Sequence, residues 1–395
     1  MTKRIDTKII SGGRNKRWTK NTVNPPVTRA STVVFNNTDE MKHATQNRGD
    51  KVMFYGRRGT DTHFALQQAI NELDGYAGCA LYPCGTAAIA GSLMAFLEAG
   101  DHLLMVDTTY EPTRDFCDKV LAKMGVTTTY YDPMLGADIA RLVQPNTKVI
   151  FTESPGSITM EVQDLPAIVE VARSKDILVM LDNTWASPLL FDAKAHGVDV
   201  CIQAATKYIV GHSDVMMGTA STTEELWPQL REQSYLHGYC VSPDDAYLAL
   251  RGLRTLGVRM RQHETNALEV ANWLAARPEV AEVRHPAFES NPGHAEFKRD
   301  FNGSNGLFSV VLNCGNRAAT NAMLNGMEHF KMGYSWGGFE SLMLANHGTP
   351  GPRSATQWQA DGPLLRLHIG LEDTQDLIED LEAGFARFHA ALQNS

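Results

Sequence analysis

The sequence predicts an α/β protein, with a large, mostly parallel sheet domain covered by helices and a smaller C-terminal α+β domain. Three observations carry this. From His63 to Ala220, short apolar runs bounded by turn residues alternate with helix-like stretches. Such runs suit strands buried on both faces of a parallel sheet, and their alternation with helices indicates layered α/β architecture. Beyond them the pattern changes, first to a long helical region and then to mixed strands and helices. A chain of 395 residues also exceeds what one core usually serves, so at least two domains are expected.

Taken in order, residues 1–60 are polar and broken by Pro25, Pro26, Gly49, Gly56 and Gly59. They are expected to form an arm that contacts a neighbouring subunit. Met1–Lys20 is basic but lacks the apolar stretch of a secretory signal. Asp6 and the Gly12–Gly13 pair argue against an amphipathic targeting helix there. Residues 61–254 form the expected large domain. Its strands are expected at 79–82, 103–106, 126–131, 149–152, 177–181, 198–202 and 215–220, with helices at 86–97 and about 113–123. A helical region from Pro243 to Arg277 is expected to break near Gly252 or Gly257. Residues 255–395 form the expected small domain, with strands at 306–312 and 364–370 and a helix at 374–389.

Composition narrows the function. Apolar content of 43% and charged content of 21% suit a globular protein. No apolar run reaches the length of a membrane-spanning helix, so no membrane partner is expected. The six cysteines are scattered without a C-x-x-C pair, which fits a reducing compartment and a cytoplasmic location. No two of the 13 histidines stand at i+3 or i+4, so no helical zinc site is expected. A net charge of −9 repels a phosphate backbone, which excludes nucleic acid as a partner.

Chemistry gathers at the ends of the apolar runs, where open α/β sheets bind ligands. Asp182 directly follows the run 177–181, and Lys207 follows 198–202. One turn, one crossover and one strand separate them, so they can converge on one crevice. An amine and a carboxylate there are the two groups that pyridoxal 5′-phosphate (PLP) requires: the amine forms a Schiff base, and the carboxylate keeps the pyridine nitrogen protonated. At about 4 Å and an effective dielectric near 20, that pairing is worth roughly 4 kcal/mol, enough to hold the pyridinium. Lys207 must be unprotonated to react, and burial beside positive charge would lower its pKa. Singly, a surface lysine and a helix-capping aspartate would look the same.

Longer stretches sharpen the reading. Ala205–Asp214, with Thr206 before Lys207, resembles the PLP-lysine motif of the Cys/Met-metabolism family of PLP enzymes. Asp182-Asn183-Thr184-Trp185-Ala186 resembles the pyridine-binding motif of that family, and Tyr55-Gly56-Arg57 its phosphate motif. Asp6-Thr7, Glu153-Ser154-Pro155 and the stretch from Leu365 to Glu372 fall in family-like positions. The resemblance covers almost the whole chain. It implies the fold-type I, aspartate aminotransferase-like architecture and a carbon–sulfur lyase or a close relative acting on a small amino acid.

Further roles follow from the resemblance. Gly85 and Thr86, at the start of a helix, would offer N–H groups to the cofactor phosphate, and Thr206 a hydroxyl. Tyr110 would stack on the cofactor ring and serve beside Lys207 in proton transfer. Arg366 would grip the substrate α-carboxylate in bidentate fashion. Tyr55 and Arg57 would reach the phosphate of an adjacent subunit, implying a shared active site and a homotetramer built as a dimer of dimers. The sequence departs from the wider family at Ala204, at Glu111-Pro112, at Ser157 and around Ser335, which Tyr334 and Trp336 flank. These departures point to the branch that cleaves L-cystathionine by α,β-elimination to homocysteine, pyruvate and ammonia. A methionine γ-lyase or a cysteine desulfhydrase is the alternative within the family, and a non-catalytic PLP-binding regulator the alternative outside catalysis.

Overall fold

Two sheets organise the chain, and the doubly buried runs make up most of the first. The computed structural model describes residues 3–393. The outermost two positions at each end, parts of the segments expected at 1–60 and 255–395, lie outside the described residues. Strands β1 (Gly78–Tyr82), β2 (His102–Val106), β3 (Thr127–Tyr131), β4 (Thr147–Glu153), β5 (Leu178–Asp182), β6 (Val200–Gln203) and β7 (Gly218–Thr222) lie in the order β1-β7-β6-β5-β4-β2-β3. β7 is antiparallel to both neighbours, and the other pairs are parallel. Every residue of β2 and β6 is buried, which is why these strands read as continuous apolar runs.

The second sheet is antiparallel throughout. It contains β8 (Val280–Arg284), β9 (Leu307–Leu312), β10 (Leu342–Asn346) and β11 (Leu364–His368), in the order β10-β11-β9-β8. Phe308, Val310, Leu365 and Leu367 from this sheet bury against Phe385 and Phe388 of the last helix, Thr374–Gln393. The helical region before it is interrupted at Arg254–Thr255, between the two glycines where a break was expected, giving helices Pro243–Leu253 and Leu256–Ala275.

The two sheets are pinned together at the end of β2. Asp107, whose side chain is fully buried, accepts hydrogen bonds from Arg114 (2.9 Å), the Ser354 N–H (2.9 Å), the Ala355 N–H (3.1 Å), the Thr356 N–H (2.8 Å) and the Thr356 hydroxyl (2.7 Å). The connection between β10 and β11 is thereby fastened to the large sheet, three residues from Tyr110. Hydrogen bonds to a buried carboxylate are among the stronger ones in proteins.

The N-terminal segment corrects one expectation. A helix does form at Ile5–Ser11. Asp6 sits in its first turn, where the helix dipole favours a carboxylate. Gly12 caps it, donating its N–H to the Lys8 carbonyl, so the glycine pair ends the helix instead of preventing it. Ile9 and Trp18 are buried in the main core, and Trp18 packs on Phe64 with ring centroids 5.6 Å apart. Arg254 donates to the Ile9 carbonyl at 2.8 Å, and Arg261 meets Asp6 at 3.1 Å. This part of the expected arm is docked on its own chain. Trp18→Ala should therefore lower the free energy of unfolding by about 3 kcal/mol, since truncating a buried aromatic leaves a cavity. Urea denaturation at matched protein concentration measures this, and an unchanged midpoint would show that the docking carries no stability.

Candidate active site

Glu153, Asp182 and Gln203 are the last residues of three adjacent strands, β4, β5 and β6. Glu153 pairs in register with Asp182, and Asp182 with Ile202. Thr184 then links β5 to the segment that follows β6. Its backbone N–H (3.0 Å) and its hydroxyl both donate to Asp182 Oδ1, and the hydroxyl accepts the Ala204 N–H at 2.8 Å. Lys207 lies three residues beyond, its N–H bonded to the Ala204 carbonyl at 3.0 Å. The expected convergence of Asp182 and Lys207 is realised by this short chain of bonds.

Lys207 is half-buried. Its Nζ donates to Ser335 Oγ at 2.9 Å and stands 5.3 Å from the Trp336 ring centroid. Loss of water, with the Arg366 guanidinium nearby, brings the amine down to about 8, against the pull of Asp182. Burial raises the Asp182 carboxyl, while its bonds from Thr184 and the Lys207 charge act the other way. Glu153 is driven well above the carboxylate range, first by burial and then by Asp182 beside it. It accepts the Tyr110 N–H at 2.8 Å and the Thr109 hydroxyl at 3.2 Å, which sets Tyr110 at the start of the helix Glu111–Lys119. Burial raises the Tyr110 phenol, and Glu153 and Asp182 add to the rise.

Arg366 projects from β11 and donates through Nη2 to the carbonyls of Gly333 (3.0 Å) and Ser335 (3.3 Å). Among the described residues no carboxylate pairs with it and its other N–H groups carry no hydrogen bond. A half-buried guanidinium so placed offers its free N–H donors to a carboxylate.

A family model described as Cys/Met metabolism PLP-dependent enzyme matches residues 6–386. The chain belongs to this family. Cystathionine beta-lyase MetC of Escherichia coli (strain K12) is 56% identical over 98% of this chain and 99% of its own length. The cystathionine beta-lyase of Haemophilus influenzae is 51% identical, covering 97% and 98% respectively. The crystal structure of metB from Corynebacterium glutamicum superposes with a TM-score of 0.90 at 30% identity, covering 98% of this chain and 99% of that one.

The cofactor of this PLP-dependent family fits the groups present. A depressed amine and a buried carboxylate stand together, and among the described residues no hydrogen bond reaches Asp182 Oδ2. The helix Gly85–Phe96 begins after β1 and presents the N–H groups of Gly85 and Thr86, which make no hydrogen bond among the described residues. Its start lies against the lysine segment: a Cβ added at Gly85 would come 2.6 Å from Ala204 Cβ, so only glycine allows the approach. The Thr206 hydroxyl is engaged within the chain, donating to the Met217 carbonyl (3.1 Å) and accepting its N–H (2.9 Å).

Three expected site residues stand elsewhere. Tyr55 is 43% exposed, and Arg57 donates to the Tyr235 carbonyl at 2.9 Å in a concavity shared with Arg58, Trp227 and Tyr239. Within one chain neither touches the Lys207 cluster. Of the aromatic pair around Ser335, only Trp336 approaches Lys207; Tyr334 is 93% exposed. Glu153 and His368 were read only as parts of motifs and given no role. An acidic residue closing β4 beside one closing β5 was the available signal for the first.

The opposing influences on Lys207 make a test. In the cofactor-free protein, modification of Lys207 by a small aldehyde with a hydride donor should rise with pH to a midpoint near 8, as the amine loses its proton. Arg366→Gln should move the midpoint up and Asp182→Asn should move it down. The unfolded chain binds this proton up to the ordinary lysine range, so stability gains with pH above about 8. Peptide mapping of the labelled lysine reads both variants, and shifts of the same sign would refute the assigned electrostatics.

Proposed function

We propose that the chain is a carbon–sulfur lyase that cleaves L-cystathionine by α,β-elimination, giving homocysteine, pyruvate and ammonia. The observation that carries this is the Lys207 amine, depressed to about 8 and held on Ser335 between Asp182 and Arg366. The relatives named cystathionine beta-lyase, at 51–56% identity over nearly the whole chain, support the choice of substrate.

Lys207 would hold PLP covalently, Asp182 would meet its pyridine nitrogen, and Gly85, Thr86 and Thr206 would lie at its phosphate. Tyr110 would cover the ring. When bound, the cofactor withdraws electrons from Cα and so stabilises the charge left by proton removal. Arg366 binds the substrate α-carboxylate with its open N–H groups. Lys207 Nζ, as a free amine, would take the Cα proton. It delivers a proton to sulfur as the Cβ–S bond breaks, since one flexible amine reaches both atoms. Ser335 holds that amine in place, and Tyr110 would take the proton of the incoming amine only once the charges of the bound cofactor and of Arg366 had lowered its phenol, which burial raises. Trp336 shapes the space for the sulfur arm, while Tyr334 stays in solvent. The departing three-carbon enamine consumes one water, giving pyruvate and ammonia. Cysteine and cystine carry the same Cβ–S bond and are side substrates; methionine has sulfur only at Cγ and is not one. The reaction is a transsulfuration step in methionine biosynthesis, in the cytoplasm.

Assembly belongs to the same reading. Tyr55 is exposed and Arg57 is bonded to Tyr235, with no hydrogen bond from either to the Lys207 cluster of their own chain among the described residues, which supports their service to the phosphate site of a neighbour in a homotetramer built from such dimers.

Two experiments test the proposal. Mass spectrometry of the products from L-cystathionine should show homocysteine and pyruvate in equal amounts; cysteine with 2-oxobutyrate as the dominant pair would overturn β-elimination. Arg57→Ala and Lys207→Ala chains should each be weak alone, and refolding them together should restore up to about a quarter of wild-type activity, because a mixed dimer contains one intact shared site. No recovery despite proven exchange would place both residues in one chain's site.

A further inference from the structure

We propose that His368 is a positioning residue for bond cleavage, holding the turn 335–338 so that Ser335 and Trp336 stay on the Lys207 amine. The inference rests on the lyase reading above. Arg366 and His368 stand two apart on β11, so they project from the same face of the strand. Both reach one stretch of chain. Arg366 holds its beginning through the Gly333 and Ser335 carbonyls. His368 Nε2 holds its end, 3.1 Å from both the Gly337 N–H and the Gly338 carbonyl. A neutral imidazole nitrogen accepts from the first or donates to the second, and either bond fastens the turn.

The turn has no slack against the lysine. Gly337 has φ +82°, and a Cβ added there would lie 3.0 Å from the Lys207 carbonyl carbon, Lys207 Cβ and the Tyr208 nitrogen. A shift of the turn therefore moves Ser335 Oγ, which lies 2.9 Å from Lys207 Nζ, and the Trp336 ring, 5.5 Å from that of Tyr208.

Packing alone does not account for the histidine. It is 1% exposed, and its Nδ1 is buried without a partner. Its side-chain hydrogen bonds, among the described residues, go to the turn alone. Burying a half-satisfied imidazole costs free energy that an aliphatic side chain would not. Burial, with His263 5.2 Å away between ring centroids, keeps its pKa near 3, so it works as a neutral ring.

Comparison of His368→Gln with His368→Asn in the holoenzyme tests the assignment. A glutamine amide reaches the place of Nε2, whereas the asparagine amide stops at the level of Nδ1; both are polar and no larger than histidine. With L-cystathionine, the Asn variant should lose about 10- to 100-fold in kcat, because small misplacements of reacting groups cost that much. Its KM should change less than about threefold, since the Arg366 grip on the carboxylate is a separate contact. The Gln variant should stay within about threefold of wild type in both. The visible circular dichroism of the lysine-bound cofactor should change in the Asn variant and not in the Gln variant. That signal needs no substrate, so it judges the positioning role even if wild type fails to form pyruvate, an outcome that sinks the lyase reading instead. Equal behaviour of the two variants, whether both active, both inactive or both unable to fold, would overturn the role of His368.

Discussion

An amine withdrawn from water holds its proton less tightly unless an anion stands close, and at Lys207 burial and Arg366 together outweigh the nearby carboxylate. Asp182 pulls the pKa up while burial and Arg366 pull it down, and the balance settles near 8. That balance depends on three parts of the chain meeting at one point: the ends of β5 and β6, and the face of β11. The sheet order supplies the first two as neighbours, and the stretch 333–338 brings the third within reach. A group that must both react with a carbonyl and carry protons works best with its pKa near the operating pH, and the surroundings of Lys207 tune it there with fixed side chains.

The two carboxylates at the strand ends show how register divides labour. Glu153 and Asp182 are paired across β4 and β5. Close carboxylates in a site with little water cannot both ionise readily. Asp182 has the lysine charge near it and the donors of Thr184 on it, and both act against the rise that burial imposes. Glu153 has backbone and hydroxyl donors and no cation, and it is the one driven towards the neutral acid. A carboxyl side chain thus stands beside the lysine at one strand end and serves as a scaffold for Tyr110 at the next.

Most of the large sheet was legible in the sequence because strands such as β2 and β6 are buried on both faces, so composition alone marks them. Asp182 was legible because it directly follows such a run, and Lys207 because it lies five residues beyond the end of another. Residues whose importance arises between distant segments were not. His368 reads as the polar partner in an alternating strand, and nothing local reveals that its ring meets Gly337 and Gly338. β8 and β10 went unmarked because their burial is partial, which blurs the apolar signal. The helix at Ile5–Ser11 was discounted for its glycines, yet these lie just past its end, where glycine is an ordinary terminator. Tyr334 and Trp336 looked equivalent as neighbours of Ser335; the turn sends one ring onto the lysine and the other into solvent.

The carboxylate of Asp107 has a bearing on motion. It fastens residues 354–356 of the β10–β11 connection to the end of β2, beside the loop that carries Tyr110. Two lobes joined by a freely swinging hinge can close around a guest and so discriminate by induced fit. A rivet of buried hydrogen bonds at the rim removes most of that freedom. Discrimination among guests then rests more on the preset shape of the cleft than on closure of the lobes.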